Sequence, residues 1–354
     1  MRALKVVSLG KAEIVSDAPI PSLRPDYILV KTVAIALNPT DWKSIKISDR
    51  NITIGCDYAG IVQEVGDKVT KPFKKGDRVA GFVLGANASQ FEDGADAEYL
   101  VAKADLQIKI PDYMSFEEAA TFGVGITTIG QGLYREFNLP WPDEPSKDKF
   151  PILIYGGSTA TGALAIQWAK LSGLEVITTC SPRNFEYVKS LGADLTFDYS
   201  SPDVGKKIRE HTNNKLLYAY DTIGENSSPQ ICADALSSER QPNGEKPQYC
   251  VILRTELPRD DVDQHQTFGS TAIGEAFEKA GGKFEGNKEH FEHSKIVWAK
   301  AQKLLEEKKF KPHRYEVRPG GLDGIVGGLD DLKNGKISGV KVVYRISDPE
   351  QPLL

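Results

Sequence analysis

The sequence predicts a two-domain α/β protein: a β-rich first part that forms a partly closed barrel, and a parallel sheet with helices on both faces that begins near Pro151. Three observations predict it. The chain has 354 residues, more than one hydrophobic core usually serves, so it divides. Over the first 120 residues, short β-branched runs are separated by Gly-rich turns. From Pro151 onward, strand-like and helix-like segments alternate at the length of βα units.

The β-rich part contains Tyr27 to Leu37, Tyr58 to Val65, Gly76 to Val83 and Ala97 to Ala102, and no helix-length apolar period interrupts them. The texture changes at Ser115, where Glu118 three residues later completes a capping-box signature and predicts a long helix loosened by glycines. A Pro-rich, charged loop follows, FNLPWPDEPSKDKF. Then come a short buried strand (PILIY), a helix over Thr161 to Ser172, a strand (EVITTC), a helix over Asn184 to Leu191, a strand (LTFDY), a helix over Asp203 to His211 and a strand (KLLYAYDTI). A helix over Pro229 to Leu236 and a strand over Tyr249 to Leu253 continue the series. Such repetition implies a parallel sheet covered on both faces. After residue 290 a basic helix (Ile296 to Lys308), the run RYEVR and a helix, turn and terminal strand do not extend that series, and they are expected to return to the first domain.

Composition narrows the classes of function. Hydrophobic residues at 40% and charged residues at 26% describe a folded protein and argue against bulk disorder. The formal net charge of -5 gives no reason to expect a nucleic-acid partner. No apolar run is long enough for a membrane span or a signal peptide, so a cytoplasmic protein is expected. The four cysteines, Cys56, Cys180, Cys232 and Cys250, form no CxxC pair and are expected to be free thiols.

The strongest chemical signal is YGGSTATG, Tyr155 to Gly162, between a buried strand and an amphipathic helix. Glycines there allow a tight turn and close backbone approach, and the helix start offers N–H groups to a pyrophosphate. The motif departs from GxGxxG, with Ser158, Thr159 and Thr161 adding hydroxyls. A polar turn that binds nothing is the plainer alternative. NAD-binding units usually carry an acid at the end of the next strand to hold the ribose 2′-OH. Here that strand ends Thr179-Cys180-Ser181-Pro182-Arg183-Asn184, with no acid. A carboxylate would repel a 2′-phosphate, whereas Ser181 and Arg183 suit one. Tyr199, after the third strand, is placed to stack on adenine or reach the same phosphate. Arg183 taken alone reads equally as a solvated charge. The third signal concerns metal. Segments Asn38 to Lys43 and Gly55 to Tyr58 sit where a metal-dependent relative needs Cys or His. All five histidines lie beyond residue 210, and His290 and His293 lack a third partner. A catalytic zinc is therefore not expected.

The motifs NPTDWK (38–43), GCDYAGIVQEVG (55–66), GDRVAGF (76–82), YGGSTATG (155–162), CSPRNFEYVKSLGAD (180–194) and SGVKVVYRI (338–346) occur in an order that resembles the medium-chain dehydrogenases/reductases over nearly the whole chain. More narrowly, the chain resembles the zinc-free, trans-acting enoyl reductases encoded beside fungal polyketide synthases. The resemblance implies a GroES-like β-barrel catalytic domain from residues 1–122 and 294–354, and an inserted Rossmann domain, 123–293, that binds NADPH. It implies that Thr40, Asp41, Trp42 and Lys43 line the nicotinamide end of the cofactor site and that Ser158, Thr159, Ala160 and Thr161 meet the phosphates. Ser181, Pro182, Arg183, Asn184 and Tyr199 would hold the 2′-phosphate end. Ile252 and Leu253 would follow the fifth strand near the nicotinamide, and Val342 and Val343 would close the site. Two stretches match substrate-lining segments: Gly125, Ile126, Thr127, Thr128, Ile129, Gly130, Gln131 and Gly132, then Gly269, Ser270, Thr271, Ala272 and Ile273.

The implied reaction is NADPH-dependent 1,4-reduction of an α,β-unsaturated thioester. Lys43 is the first candidate for electrostatic or proton-relay work, with cofactor positioning as its alternative. Thr128 is the candidate donor to the enolate oxygen, with back-bonding to its own helix as its alternative. The implied partner is the acyl carrier domain of a polyketide synthase or synthase–peptide synthetase hybrid, and the narrower group resembles monomers. The Pro-rich loop Leu139 to Pro151 is a place for partner contacts or an ordinary connection. A free-standing NADPH quinone or enone reductase is the second reading. A non-catalytic NADPH-binding interaction protein is the third, against which stands the retained stretch Thr40 to Lys43.

Overall fold

The computed structural model describes residues 1–48, 51–239 and 244–348. The chain forms two units, one from Met1–Thr127 with Ser270–Leu354 and one from Thr128–Gly269.

In the second unit six parallel strands run in the order Leu195–Phe197, Glu175–Thr179, Pro151–Tyr155, Tyr218–Asp221, Gln248–Val251, Asp263–Gln266. In order of sequence that is 3-2-1-4-5-6, the doubly wound Rossmann arrangement, with its switch point beside the first strand. Ile152, Leu153 and Ile154 are fully buried, as the continuous apolar run PILIY requires of a strand covered on both faces. One face packs on Val204, Ile208, Leu216, Cys232 and Leu236. The helix Ala160–Leu171 buries Leu164, Ile166 and Trp168 completely. The sixth strand was not expected; DQHQ is polar and largely exposed at the sheet edge, so it carries no apolar pattern.

The first unit is built round the ten-residue strand Tyr27–Ala36, which pairs antiparallel with Asp57–Val65, Tyr99–Lys103 and Lys341–Arg345. The seven-stranded sheet also takes in Tyr315–Arg318, Arg78–Phe82 and Gln107–Lys109. The chain's end thus completes the sheet that its beginning starts. Leu4, Val6, Ile28, Val30, Tyr58, Val62, Val79, Ile325 and Leu329 form its core. This is the GroES-like partner of the Rossmann sheet.

Three helices differ from the sequence-based expectation. The β-rich part is interrupted by a helix, Pro39–Ile47. Its signal was not apolar periodicity but the order Asn-Pro-x-Asp, an N-cap, a proline in the first turn and an acid three residues in. The long helix after Ser115 breaks into Phe116–Ala119, Gly123–Ile129 and a π-helical stretch, Gly130–Glu136, where Phe137 N–H donates to Gly132 O at 3.2 Å. Its capping box is present: Glu118 N–H donates to Ser115 Oγ at 3.1 Å and Ser115 N–H to Glu118 Oε2 at 2.9 Å. The basic helix starts eight residues earlier than expected and spans Lys288–Glu306, capped by Asn287 Oδ1, which accepts His290 N–H at 3.0 Å.

Residues 270–293 were grouped by sequence with the nucleotide-binding domain, but they lie with the chain ends. Bonds explain why. Tyr27 OH donates to Glu275 at 2.9 Å, Lys103 pairs with Glu275, Ala88 N–H donates to Glu278 O at 2.7 Å, and Lys279 reaches Gly85 O.

Candidate active site

The turn after Pro151–Tyr155 is shaped by its glycines. Gly156 has φ +81°, a left-handed value that strains any residue with a Cβ. At Gly162 a Cβ would stand 2.3 Å from Gly156 O and 2.9 Å from Gly157 Cα, so only glycine lets the helix start against the turn. Thr159 caps that helix, its Oγ1 accepting Gly162 N–H at 2.9 Å. Ala160 and Thr161 N–H find no acceptor among the described residues, as expected of a first helical turn. They sit beside the half-exposed Ser158, Thr159 and Thr161 hydroxyls. Free N–H groups, hydroxyls and the positive end of a twelve-residue helix fit a pyrophosphate.

Two residues that the sequence reading missed hold this turn. Thr222, just past the fourth strand, donates to Tyr155 O at 2.8 Å and lies 3.0 Å from Thr159 Oγ1. Asp221 is fully buried. Its Oδ1 accepts Ile223 and Gly224 N–H at 2.9 and 3.0 Å, and its Oδ2 accepts Tyr249 OH at 2.8 Å. An acid at the end of an apolar strand, followed by Thr-x-Gly, was the available signal: a buried carboxylate is tolerated only when donors surround it.

At the end of the second strand, Ser181 Oγ donates to Tyr199 OH at 3.3 Å, so the two proposed phosphate neighbours are adjacent. Pro182 and Arg183 are exposed, while Asn184 is buried. Ile252 and Leu253 are half-buried beyond the fifth strand, where Ile252 N–H donates to Asp221 O at 3.2 Å.

Residues Gly125 to Gly132 are all buried. The helix-back-bonding hydroxyl belongs to Thr127, which donates to Gly123 O at 3.0 Å. No described residue bonds the Thr128 hydroxyl, and Thr128 O accepts Tyr220 OH at 3.1 Å, fixing the backbone there. Gln131 is anchored on Phe268: its Oε1 accepts Phe268 N–H at 3.0 Å.

In the first unit the helix Pro39–Ile47 carries Thr40 to Lys43. Thr40, Trp42 and Lys43 are half-buried. Asp41 is buried, and its Oδ2 accepts Asn38 N–H at 2.7 Å, so this residue fixes the helix start. Burial pushes its carboxyl up to about 7, against the Asn38 N–H bond and with the charge of Asp57 adding to the rise. Val342 and Val343 are buried in the last strand. The segment Gly269–Ile273 is a 3-10 turn in which Ser270, Ala272 and Ile273 are buried; Thr271 is half-exposed, with its Oγ1 2.8 Å from His290 Nδ1.

Among the described residues, no group of three His, Cys, Asp or Glu side chains could hold a metal ion, and no helix is long and apolar enough to cross a membrane. The four cysteines are buried and in no disulfide.

The family profile of the alcohol dehydrogenase GroES-like domain matches residues 24–112, and that of the zinc-binding dehydrogenases matches residues 160–239. The trans-enoyl reductase resD of Aspergillus sclerotiorum is 46% identical over 362 residues, covering 98% of this chain and 100% of that one. The trans-enoyl reductase TOXD of Cochliobolus carbonum is 54% identical over 277 residues, 78% of this chain and 91% of its own. Among solved structures, an alcohol dehydrogenase superfamily protein from Novosphingobium aromaticivorans superposes with a TM-score of 0.79 over 98% of this chain and 100% of that one. Its 22% identity speaks for the fold alone. The chain is therefore an NAD(P)-binding oxidoreductase fold whose sequence belongs to the trans-enoyl reductases of the medium-chain dehydrogenase/reductase family.

Proposed function

We propose that this protein is an NADPH-dependent, trans-acting enoyl reductase. It would saturate the α,β-unsaturated thioester of a polyketide chain held on the acyl carrier domain of a partner synthase. The observation that carries the reading is the likeness to a trans-enoyl reductase along essentially the whole of both chains. Cofactor choice rests on Ser181, Arg183 and Tyr199 where an NAD-binding unit would place an acid. A charge-assisted bond to a 2′-phosphate contributes about 1.5–3 kcal/mol, a preference of roughly ten- to hundredfold.

When bound, NADPH supplies the hydride that adds to the β-carbon of the enoyl group. The chain's own residues must manage the charge that then develops on the thioester oxygen. Thr128, whose hydroxyl no described residue engages, donates to that oxygen in this reading. Lys43 supplies a positive charge from the helix Pro39–Ile47, and a proton for the α-carbon is relayed through it. Ser158, Thr159, Ala160 and Thr161 hold the pyrophosphate. A donor of the Thr128 kind contributes about 2.7–4 kcal/mol to the transition state, so Thr128→Val is expected to lower kcat roughly 10²- to 10³-fold with little change in cofactor binding.

The test is turnover of a crotonyl-type thioester, free and carrier-bound, against a panel of quinones. Faster reduction of the carrier-bound enoyl group than of either alternative supports the proposal. Quinone reduction with no enoyl turnover assigns the protein to free-standing quinone reduction, and cofactor binding without any turnover assigns it to a non-catalytic binder.

A further inference from the structure

Within the first unit, a buried ion pair and its hydrogen bonds join four chain segments, at residues 38, 57, 124 and 341. Lys341 Nζ pairs with Asp57 Oδ2, and the two side chains are 3% and 0% exposed. Lys341 Nζ also donates to Asn38 Oδ1 at 2.8 Å, and Asp57 Oδ1 accepts Val124 N–H at 2.5 Å. Asn38 is the residue before the helix Pro39–Ile47, and its N–H donates to Asp41 within that helix. Val124 lies in the first turn of the helix Gly123–Ile129, and Lys341 opens the last strand. The approach of Asp57 to Val124 depends on a glycine: a Cβ at Gly123 would stand 2.5 Å from Asp57 Oδ1 and 2.3 Å from Gly81 O.

Stability does not explain such a pair. Taking two charges fully out of water costs about as much as their attraction returns, and apolar pairs of similar volume commonly do as well. Buried His313 lies close enough to feel the charge of Lys341; burial first, then that charge, lowers its pKa to about 3, so a neutral ring adds no counter-charge. What the pair does supply is direction. One ammonium fixes the start of the helix carrying Lys43, and the carboxylate that neutralises it fixes the start of the helix carrying Thr127.

We propose that Asp57, Lys341 and Asn38 form a positioning network for the reduction step. It sets the register of the helix Pro39–Ile47, and with it the placement of the Lys43 ammonium. The proposal rests on the reading of Lys43 given above. None of the three touches the reacting atoms in this account; each acts through the helix it holds.

The test compares wild type with D57N/K341M, a neutral pair of similar shape, and with N38A, which removes the acceptor of Lys341 and the donor to Ala36 O but no charge. K43A is measured alongside. The readouts are Tm, the Kd of NADPH, kcat and KM, and the kinetic isotope effect with NADPH deuterated at the transferred position. The expected result is a fall in kcat of at least tenfold and a larger isotope effect, with Kd and KM within about twofold and Tm close to wild type. A folded double variant with kcat within twofold of wild type overturns the proposal. So does a fall in kcat that only tracks lost cofactor affinity and Tm, which marks a purely structural role. Should D57N/K341M fail to fold, the same thresholds applied to N38A decide. Full turnover by K43A refutes the role of Lys43 itself, whatever the network variants show.

Discussion

Asp41 shows how a buried carboxylate at the start of a helix becomes a pH-dependent element. One oxygen accepts the Asn38 N–H, and the other has no partner among the described residues. Burial raises its pKa from 3.8 to about 7. The folded chain then holds this proton more tightly than the unfolded chain does. The resulting stabilisation is complete below pH 4 and is lost as pH rises through about 7. Asp96, buried nearby, is pushed the same way by its burial and by the charges of Asp41 and Asp57. In Asp41→Asn the slope from this group disappears, so wild type minus variant unfolding free energy should fall between pH 4 and pH 8 in urea titrations. A difference that stays constant with pH would refute this assignment. On the other unit, Arg183→Ala should weaken NADPH binding by roughly tenfold or more and leave NADH binding unchanged. Equal weakening of both cofactors would place Arg183 away from the 2′-phosphate.

At the scale of elements, sequence and structure agree where one local force decides. The strand Pro151–Tyr155 and the helix Ala160–Leu171 were legible because their residues are apolar where burial requires it and their turn is glycine-rich. Elements set by capping or edge pairing were harder to read. The helix Pro39–Ile47 is short and weakly apolar, and only the Asn38–Asp41 spacing marks it. The strand Asp263–Gln266 exists because Gln248–Val251 offers it an edge. Four glycines between residues 123 and 132 permit the π-helical turn that replaces a regular long helix there. Among the site residues, exposed hydroxyls and Arg183 could be read from the chain. Asp221 and Thr222 left only the acid and Thr-x-Gly at the end of an apolar strand as a signal, and Asp57 and Lys341 left none, because their roles come from partners that only folding brings near. Two substitutions test the element scale. Gly162→Ala should destabilise the fold by about 1–3 kcal/mol, since backbone atoms surround the added Cβ, and should weaken NADPH binding with it. Ser115→Ala should cost about 1 kcal/mol in unfolding experiments and leave kcat unchanged. An unaltered cofactor affinity in Gly162→Ala would contradict the account of the turn.

For the whole molecule, the sequence announced the order of its parts before it announced their limits. The alternation of βα units and the glycine-rich turn follow from local pattern, while the return of the last strand is a long-range pairing with Tyr27–Ala36. The placement of residues 270–293 with the chain ends depends on bonds of Tyr27, Ala88, Lys103 and Lys279 that no local pattern encodes. The proposed function requires a phosphorylated dinucleotide held at the turn after Tyr155 and at the acid-free end of the second strand. Isothermal titration of the intact protein with NADPH and with NADH tests this most directly. NADPH is expected to bind tighter by roughly ten- to hundredfold. NADH bound as tightly as NADPH, or neither bound at all, would contradict it.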